Sequence, residues 1–176
     1  DALPIYLALA ALALRAFAPA DGRGRKIQLG TGTGPITLLD ESYNANPSSM
    51  RAAFAVAGTT PVGPRGRRVA VLGDMLELGD QGAELHRDLA QALEKSGIDL
   101  VFAAGPLMKN LYDALPKTRR GGYAADSAAL EAAVLDGVRG GDVVTVKGSN
   151  GSRMGRIVTA LKTRYPVISP ADDRDV

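Results

Sequence analysis

VVTVKGSNGSRMGRIVTAL, residues 143–161, changes its hydrophobic period halfway along. Val143–Val146 form a short, nearly continuous apolar run, the composition of a strand covered on both faces. After the polar KGSNGS segment, Met154, Ile157, Val158 and Leu161 recur at i, i+3, i+4 and i+7, which draws one apolar stripe along a helix. The same strand-to-helix switch recurs upstream. Arg68–Leu72 and Leu100–Ala104 read as strands, and helices are expected from Pro47, after Asp80, after Pro106 and after Asp126. Strand and helix in alternation predict right-handed βαβ units. The fold class is therefore α/β: a Rossmann-like open, mostly parallel sheet with helices on both faces. IQLG and ITLLD flank the glycine-bearing TGTGP stretch and predict an antiparallel hairpin at the N-terminal edge of that sheet.

At 176 residues the chain is long enough for one large domain with a sizeable core. Its 45% hydrophobic and 23% charged content is that of a folded globular protein. Cysteine is absent and His86 is the single histidine, which excludes disulfides, thiolate zinc sites and multi-histidine metal centres. No metal site is expected. His86, beside the Leu85, Leu89 and Leu93 stripe, reads as a packed or capping residue. Residues 2–18 are apolar, but they lack a basic lead and are interrupted by Arg15. They read as a buried helix with no membrane insertion, and a cytoplasmic location fits. The net charge of +2 gives no field for nucleic acid, and no aromatics are interleaved with the arginine clusters. TGTGP lacks the Gly-Lys-Ser/Thr ending of a phosphate loop and leads into a strand, where a dinucleotide fingerprint requires a helix. PADGRGR, residues 19–25, has hinge composition. The expected division is residues 1–24 as the end of a preceding domain and hinge, 25–170 as a ligand-binding domain, and 171–176 as a polar tail. The chain opens at Asp1 directly in its apolar run and is expected to be part of something longer.

In an open α/β sheet, ligands bind beyond the carboxyl ends of the strands. Three unusual loops are expected there: DESYNANP after ITLL, GDMLELGD after VAVL and KGSNGS after VVTV. In the first, Asn46 and Pro47 suit an N-cap and a first helical turn. Asp40, Glu41, Tyr43 and Asn44 answer no local folding need, and their carboxylate, hydroxyl and amide groups suit the edge of a ribose or purine. In the third, Lys147 and Ser149 among glycines, before a helix N-terminus, suit a phosphate or a carboxylate. In the second, Asp74 and Glu77 suit an amine or a basic loop, while Met75, Leu76 and Leu78 suit the core.

Taken together, DESYNANPSSM, VLGDMLELGDQGAELHRDL and VKGSNGSRM resemble, in order and spacing, the C-terminal region of the bacterial Mur ligases. The likeness is greatest to the member that adds D-alanyl-D-alanine to UDP-N-acetylmuramoyl-tripeptide. It covers nearly the whole chain, with ALAALALRAFAPADGRGR similar to the end of the family's central ATPase domain. The resemblance implies an ATP-dependent, amide-forming ligase that works through an acyl phosphate with Mg2+, and a full-length enzyme that is monomeric. By position it implies nucleotide contacts from Arg23, Asp40 or Glu41 (with Asp40 favoured for ribose), Tyr43, Asn44 and Asn46. It implies contacts to the incoming dipeptide from Lys147, Ser149 and Asn150, with Asp74 and Glu77 nearby. The family's phosphate loop and its Mg2+ ligands belong to the central domain, and this chain contains no Gly-x-x-Gly-Lys-Thr/Ser stretch. No catalytic residue is therefore assigned within it, and the chain alone is expected to be inactive.

Overall fold

The computed structural model describes residues 20–168. The apolar run 2–18 and the tail 171–176 lie outside the described residues. Seven strands form a single sheet: β1 (Arg25–Leu29), β2 (Ile36–Glu41), β3 (Arg68–Gly73), β4 (Leu100–Ala104), β5 (Arg120–Ala124), β6 (Val143–Lys147) and β7 (Val167–Ile168). Their spatial order is β5-β4-β3-β6-β2-β1-β7. Strands β2 to β6 are mutually parallel, and β1 runs antiparallel to both β2 and β7. The hairpin predicted from IQLG and ITLLD is thus β1 and β2, with two residues of β7 added outside it.

Among the described residues, six helices cover the two faces: α1 (Pro47–Thr59), α2 (Gly82–Arg87), α3 (Leu89–Lys95), α4 (Met108–Ala114), α5 (Ser127–Gly137) and α6 (Gly155–Arg164). Strand residues alternate between the faces because successive side chains point to opposite sides of a pleated strand. Val69 and Val71 of β3 pack with Leu130 and Val134 of α5 and with Ile157, Val158 and Leu161 of α6. Their neighbours Ala70 and Leu72 face Met50 and Phe54 of α1, Leu89 and Leu93 of α3, and Met108 and Leu111 of α4. The predicted stripe of Met154, Ile157, Val158 and Leu161 is buried throughout.

The single helix expected after Asp80 is instead a short 3-10 turn followed by α2 and α3, broken at Asp88. Strand β5 was not anticipated, since RGGYA lacks an apolar run. It sits at the end of the sheet order with most of its residues half-buried. Arg67 and the fully buried Asp142 clamp the amino ends of the central strands β3 and β6 through a two-point ion pair, with the shorter bond at 2.8 Å.

Topology creates the rim that matters. β6 is inserted between β2 and β3 and is reached from β5 by α5, whereas α1 carries the chain from β2 past β6 to β3. From β3 the chain proceeds towards β4 and β5, and from β6 towards β7. The carboxyl ends of β3 and β6 therefore flank a point where the connections diverge, the usual place for a ligand crevice. In this register Glu41, Lys147 and Leu72 stand level across three adjacent strands.

Candidate ligand-binding rim

The three polar loops do converge, and their cross-links are specific. Ser149, after β6, accepts a hydrogen bond from Leu76 N at 2.9 Å and donates to Ala45 O at 3.4 Å, while its own N–H donates to Asp74 O at 3.0 Å. One buried residue thereby fastens the loop after β3 to that after β6 and touches the loop after β2. Lys147 makes a second tie: its Nζ donates to Asn44 O at 2.8 Å and lies 3.6 Å from the Glu41 carboxylate. Burial pushes the Lys147 ammonium below its ordinary lysine value, and the neighbouring Glu41 charge and hydrogen bond oppose that shift. The loop can pass this close only because residue 148 is glycine. A Cβ on Gly148 would lie 2.4 Å from Ser152 Oγ and 2.6 Å from Met154 Cγ.

Asp40 is buried at the base of the first loop. Its Oδ2 accepts from Gly22 N at 3.1 Å, and its Oδ1 accepts from Ser42 N at 3.2 Å and Ser42 Oγ at 2.7 Å. Those bonds, with Tyr43 N donating to Gly22 O at 3.1 Å, hold residues 20–24 against the rim. Gly22 has φ +75°, and a Cβ there would meet Tyr43 N at 2.9 Å. Arg23 in turn stacks its guanidinium 4.1 Å above the half-exposed Tyr43 ring. The exposed Asn44 turns its Oδ1 to Ala45 N at 2.8 Å. Asn46 is the N-cap of α1: its Oδ1 accepts from Ser49 N, and Ser49 Oγ accepts from Asn46 N, a reciprocal box.

In the second loop, Asp74 accepts from Met108 N at 2.6 Å and Leu107 N at 3.3 Å, satisfying the start of α4. Met75 is buried, as expected, whereas Leu76 is exposed at the rim. His86 is fully buried, with Nε2 accepting from Met75 N at 2.9 Å. With Nε2 accepting, Nδ1 is the nitrogen that donates, to Gly82 O at 2.6 Å. It is a packed brace for the loop. Glu77 is exposed, in the left-handed region at φ +62°.

Two clefts open beside these ties. The first, about 430 Å³, lies between Asp40, Ser42 and Tyr43 on one side and Asn150, Arg156 and Lys162 on the other. The second, about 490 Å³, is bounded by Asp74, Leu76, Pro106, Asp126 and Ser152. Arg153 and Arg156 line both. Of the residues lining the first cleft, sequence reasoning named Asp40 and Tyr43 as nucleotide contacts and Asn150 as a dipeptide contact, but did not single out Ser42, Arg153, Arg156 or Lys162. For Arg156 and Lys162 a signal was available: with Thr159 they recur every three residues on the α6 face opposite its apolar stripe. Among the described residues no three His, Cys, Asp or Glu side chains gather as a metal site. No helix among them is long and apolar enough to cross a membrane.

An open α/β domain with ligand loops fastened along the carboxyl rim of a parallel sheet is the class that the fold and site define. The family model described as "Mur ligase, glutamate ligase domain" matches residues 24–150, and the chain belongs to that family. Among its relatives, the UDP-N-acetylmuramoyl-tripeptide–D-alanyl-D-alanine ligase of Escherichia coli is 37% identical over 127 residues, covering 71% of this chain and 26% of the relative. The ligase of the same description from Bacillus subtilis is 30% identical over 142 residues, covering 78% of this chain and 30% of the relative. The chain thus spans less than a third of the length of these relatives. Among solved structures, a MurF from Acinetobacter baumannii superposes with a TM-score of 0.67 at 29% identity, over 82% of this chain and 31% of that one. The Thermotoga maritima MurF ligase in complex with ADP gives a TM-score of 0.68 at 22% identity, over 85% and 32%, a likeness of fold.

Proposed function

We propose that this chain is the C-terminal portion of an ATP-dependent ligase that joins D-alanyl-D-alanine to UDP-N-acetylmuramoyl-tripeptide in peptidoglycan precursor synthesis, in the cytoplasm. The observation that carries the reading is the cross-fastening of three distant loops by Ser149 and Lys147 into one rim flanked by two clefts. In this scheme ATP phosphorylates the terminal carboxylate of the tripeptide. The dipeptide amine attacks the acyl phosphate carbon, and collapse forms the amide and releases phosphate beside ADP. Mg2+, held mainly by a domain outside this chain, neutralises phosphate charge when bound.

This chain's own residues bind and enclose. The Arg23–Tyr43 stack supplies a flat face for adenine, with the Asn44 amide beside it, and Asp40 keeps acceptor capacity on Oδ2 for a ribose hydroxyl. Asn46 acts through α1, by capping it. Lys147 and Ser149 act as ties that set the loop geometry, leaving Asn150 and Glu77 to reach ligand. Residues 1–24 serve as the end of the preceding domain and its hinge, so that rim closure excludes water from a hydrolysable intermediate.

Release of ADP tests the reading. A polypeptide carrying this chain behind its ATPase domain should release ADP only when UDP-N-acetylmuramoyl-tripeptide and D-alanyl-D-alanine are both supplied, and the chain alone should release none. Release by the longer polypeptide with a different amino donor, or none with this one, would sink the assignment.

A further inference from the structure

The sequence offers no reason to single out Arg153, yet its placement is unusual. It adopts the left-handed conformation, φ 54° and ψ 35°, at the end of the 3-10 turn that follows β6. Glycine or asparagine is the ordinary occupant of such a position, because a Cβ is strained there. The turn is held from both sides. Arg153 N donates to Asn150 O at 3.0 Å, Ser152 Oγ donates to Ser149 O at 2.6 Å, and the next residue, Met154, is fully buried. A long cation is thus kept in a strained position, and its side chain makes no hydrogen bond or ion pair among the described residues. Arg156, one turn further on, differs in being paired with Glu131 at 2.6 Å. Arg153 is exposed and lines both clefts, so this residue stands at the boundary between them.

The second cleft identifies what that guanidinium would meet. Small or apolar side chains line it: Leu76, Ala104, Pro106, Ala125 and Ala128. It also carries two carboxylates. Asp74 is committed to Leu107 N and Met108 N, and Asp126 caps α5 through Oδ1, which accepts from Ala129 N at 2.9 Å. With Arg156 already neutralised, a dianion such as a phosphate would face two negative charges and one free cation. A zwitterion with small apolar side chains suits the charges better. A two-residue peptide extends roughly 7 Å, between one and two strand spacings of about 4.8 Å. Such a peptide, with one end on the loop after β6, therefore lies across the end of β3, among the apolar groups.

We infer that Arg153 is a substrate-specificity residue whose guanidinium receives the C-terminal carboxylate of the incoming dipeptide in the second cleft. The inference rests on the ligase reading and adds to it the end of the substrate that is recognised. A guanidinium–carboxylate fork is a strong, directional contact, and its loss costs about tenfold or more in affinity.

The test is an NMR titration of the isotopically labelled chain with D-alanyl-D-alanine and, separately, with its C-terminal amide, which lacks the negative charge. The wild-type chain should bind the acid about tenfold more tightly than the amide. Arg153→Gln should lower acid affinity to that of the amide and leave amide affinity unchanged, while Arg153→Lys should retain part of the preference. Arg153→Gly, which relieves the backbone, should fold normally and behave like Arg153→Gln. Retention of the acid preference by both Arg153→Gln and Arg153→Gly would overturn the role of Arg153 and leave the ligase reading intact. Failure of the wild-type chain to bind either dipeptide at millimolar concentration would overturn this inference together with the second cleft as the donor site.

Discussion

Ser149→Ala isolates the hydroxyl tie between the loops after β3 and β6. The substitution removes one oxygen atom and leaves the backbone bond from Ser149 N to Asp74 O in place, so the fold should persist. Two contacts disappear. The bond from Leu76 N, at 2.9 Å, is well formed and partly buried, and leaving that N–H without an acceptor costs about 1–3 kcal/mol. The bond to Ala45 O, at 3.4 Å, is too long to contribute much. A net loss of about 2 kcal/mol follows, or a Tm lower by about 4–8 °C for a chain of this size. Equilibrium unfolding in urea measures the total, and amide hydrogen exchange at Leu76 locates it. The Leu76 amide should lose protection while amides in β3 and β4 keep theirs. A stability change under about 0.5 kcal/mol, with Leu76 still protected, would refute the idea that this hydroxyl holds the rim together.

Three further outcomes are expected. Because burial lowers the Lys147 pKa relative to the unfolded chain, the unfolded state binds more protons in the window from the folded value up to about 10.5. Stability contributed by this group should therefore rise with pH through that window and be lost as pH falls back through it. The difference in unfolding free energy between wild type and Lys147→Met, measured from pH 7 to 11, should climb, and a flat difference would contradict the burial argument. His86→Phe keeps a planar ring but deletes both an acceptor for Met75 N and a donor to Gly82 O, and should destabilise the chain by about 3 kcal/mol in urea unfolding. A loss below about 1 kcal/mol would show that the ring only fills space. Thr145, fully buried in β6, has a hydroxyl with no partner among the described residues. Thr145→Val should accordingly stabilise by about 1 kcal/mol, whereas a marked loss would reveal an unrecognised hydrogen bond.

Much of this architecture was legible in local patterning. Arg68–Leu72, Leu100–Ala104 and Val143–Val146 became central strands because a short apolar run with turn residues at its ends has few other ways to hide both faces. Asn46 with Ser49 became a helix start because that chemistry is satisfied within four residues. β5 was not legible: its two glycines give no alternation, and it is held by its neighbour β4 rather than by its own composition. The break at Asp88 was hidden as well, since the Leu85, Leu89 and Leu93 spacing continues across it.

The candidate site divides in the same way. The sequence by itself determined that three polar loops follow three strands of one parallel sheet, and so that they share an edge, because strand direction is common to all of them. It also determined which functional groups are at hand. Only the tertiary structure decided where those groups point. Lys147 turns inward to a partner 103 residues away and Ser149 to one 73 residues away, Asp74 gives both oxygens to backbone N–H groups, Asp40 accepts from Gly22 and Ser42 with acceptor capacity left on Oδ2, and Arg153 is left facing the clefts. Residue type states what bonds a side chain can make. Which of them it does make depends on the strand order, which sets β6 between β2 and β3 and brings distant loops within hydrogen-bonding reach.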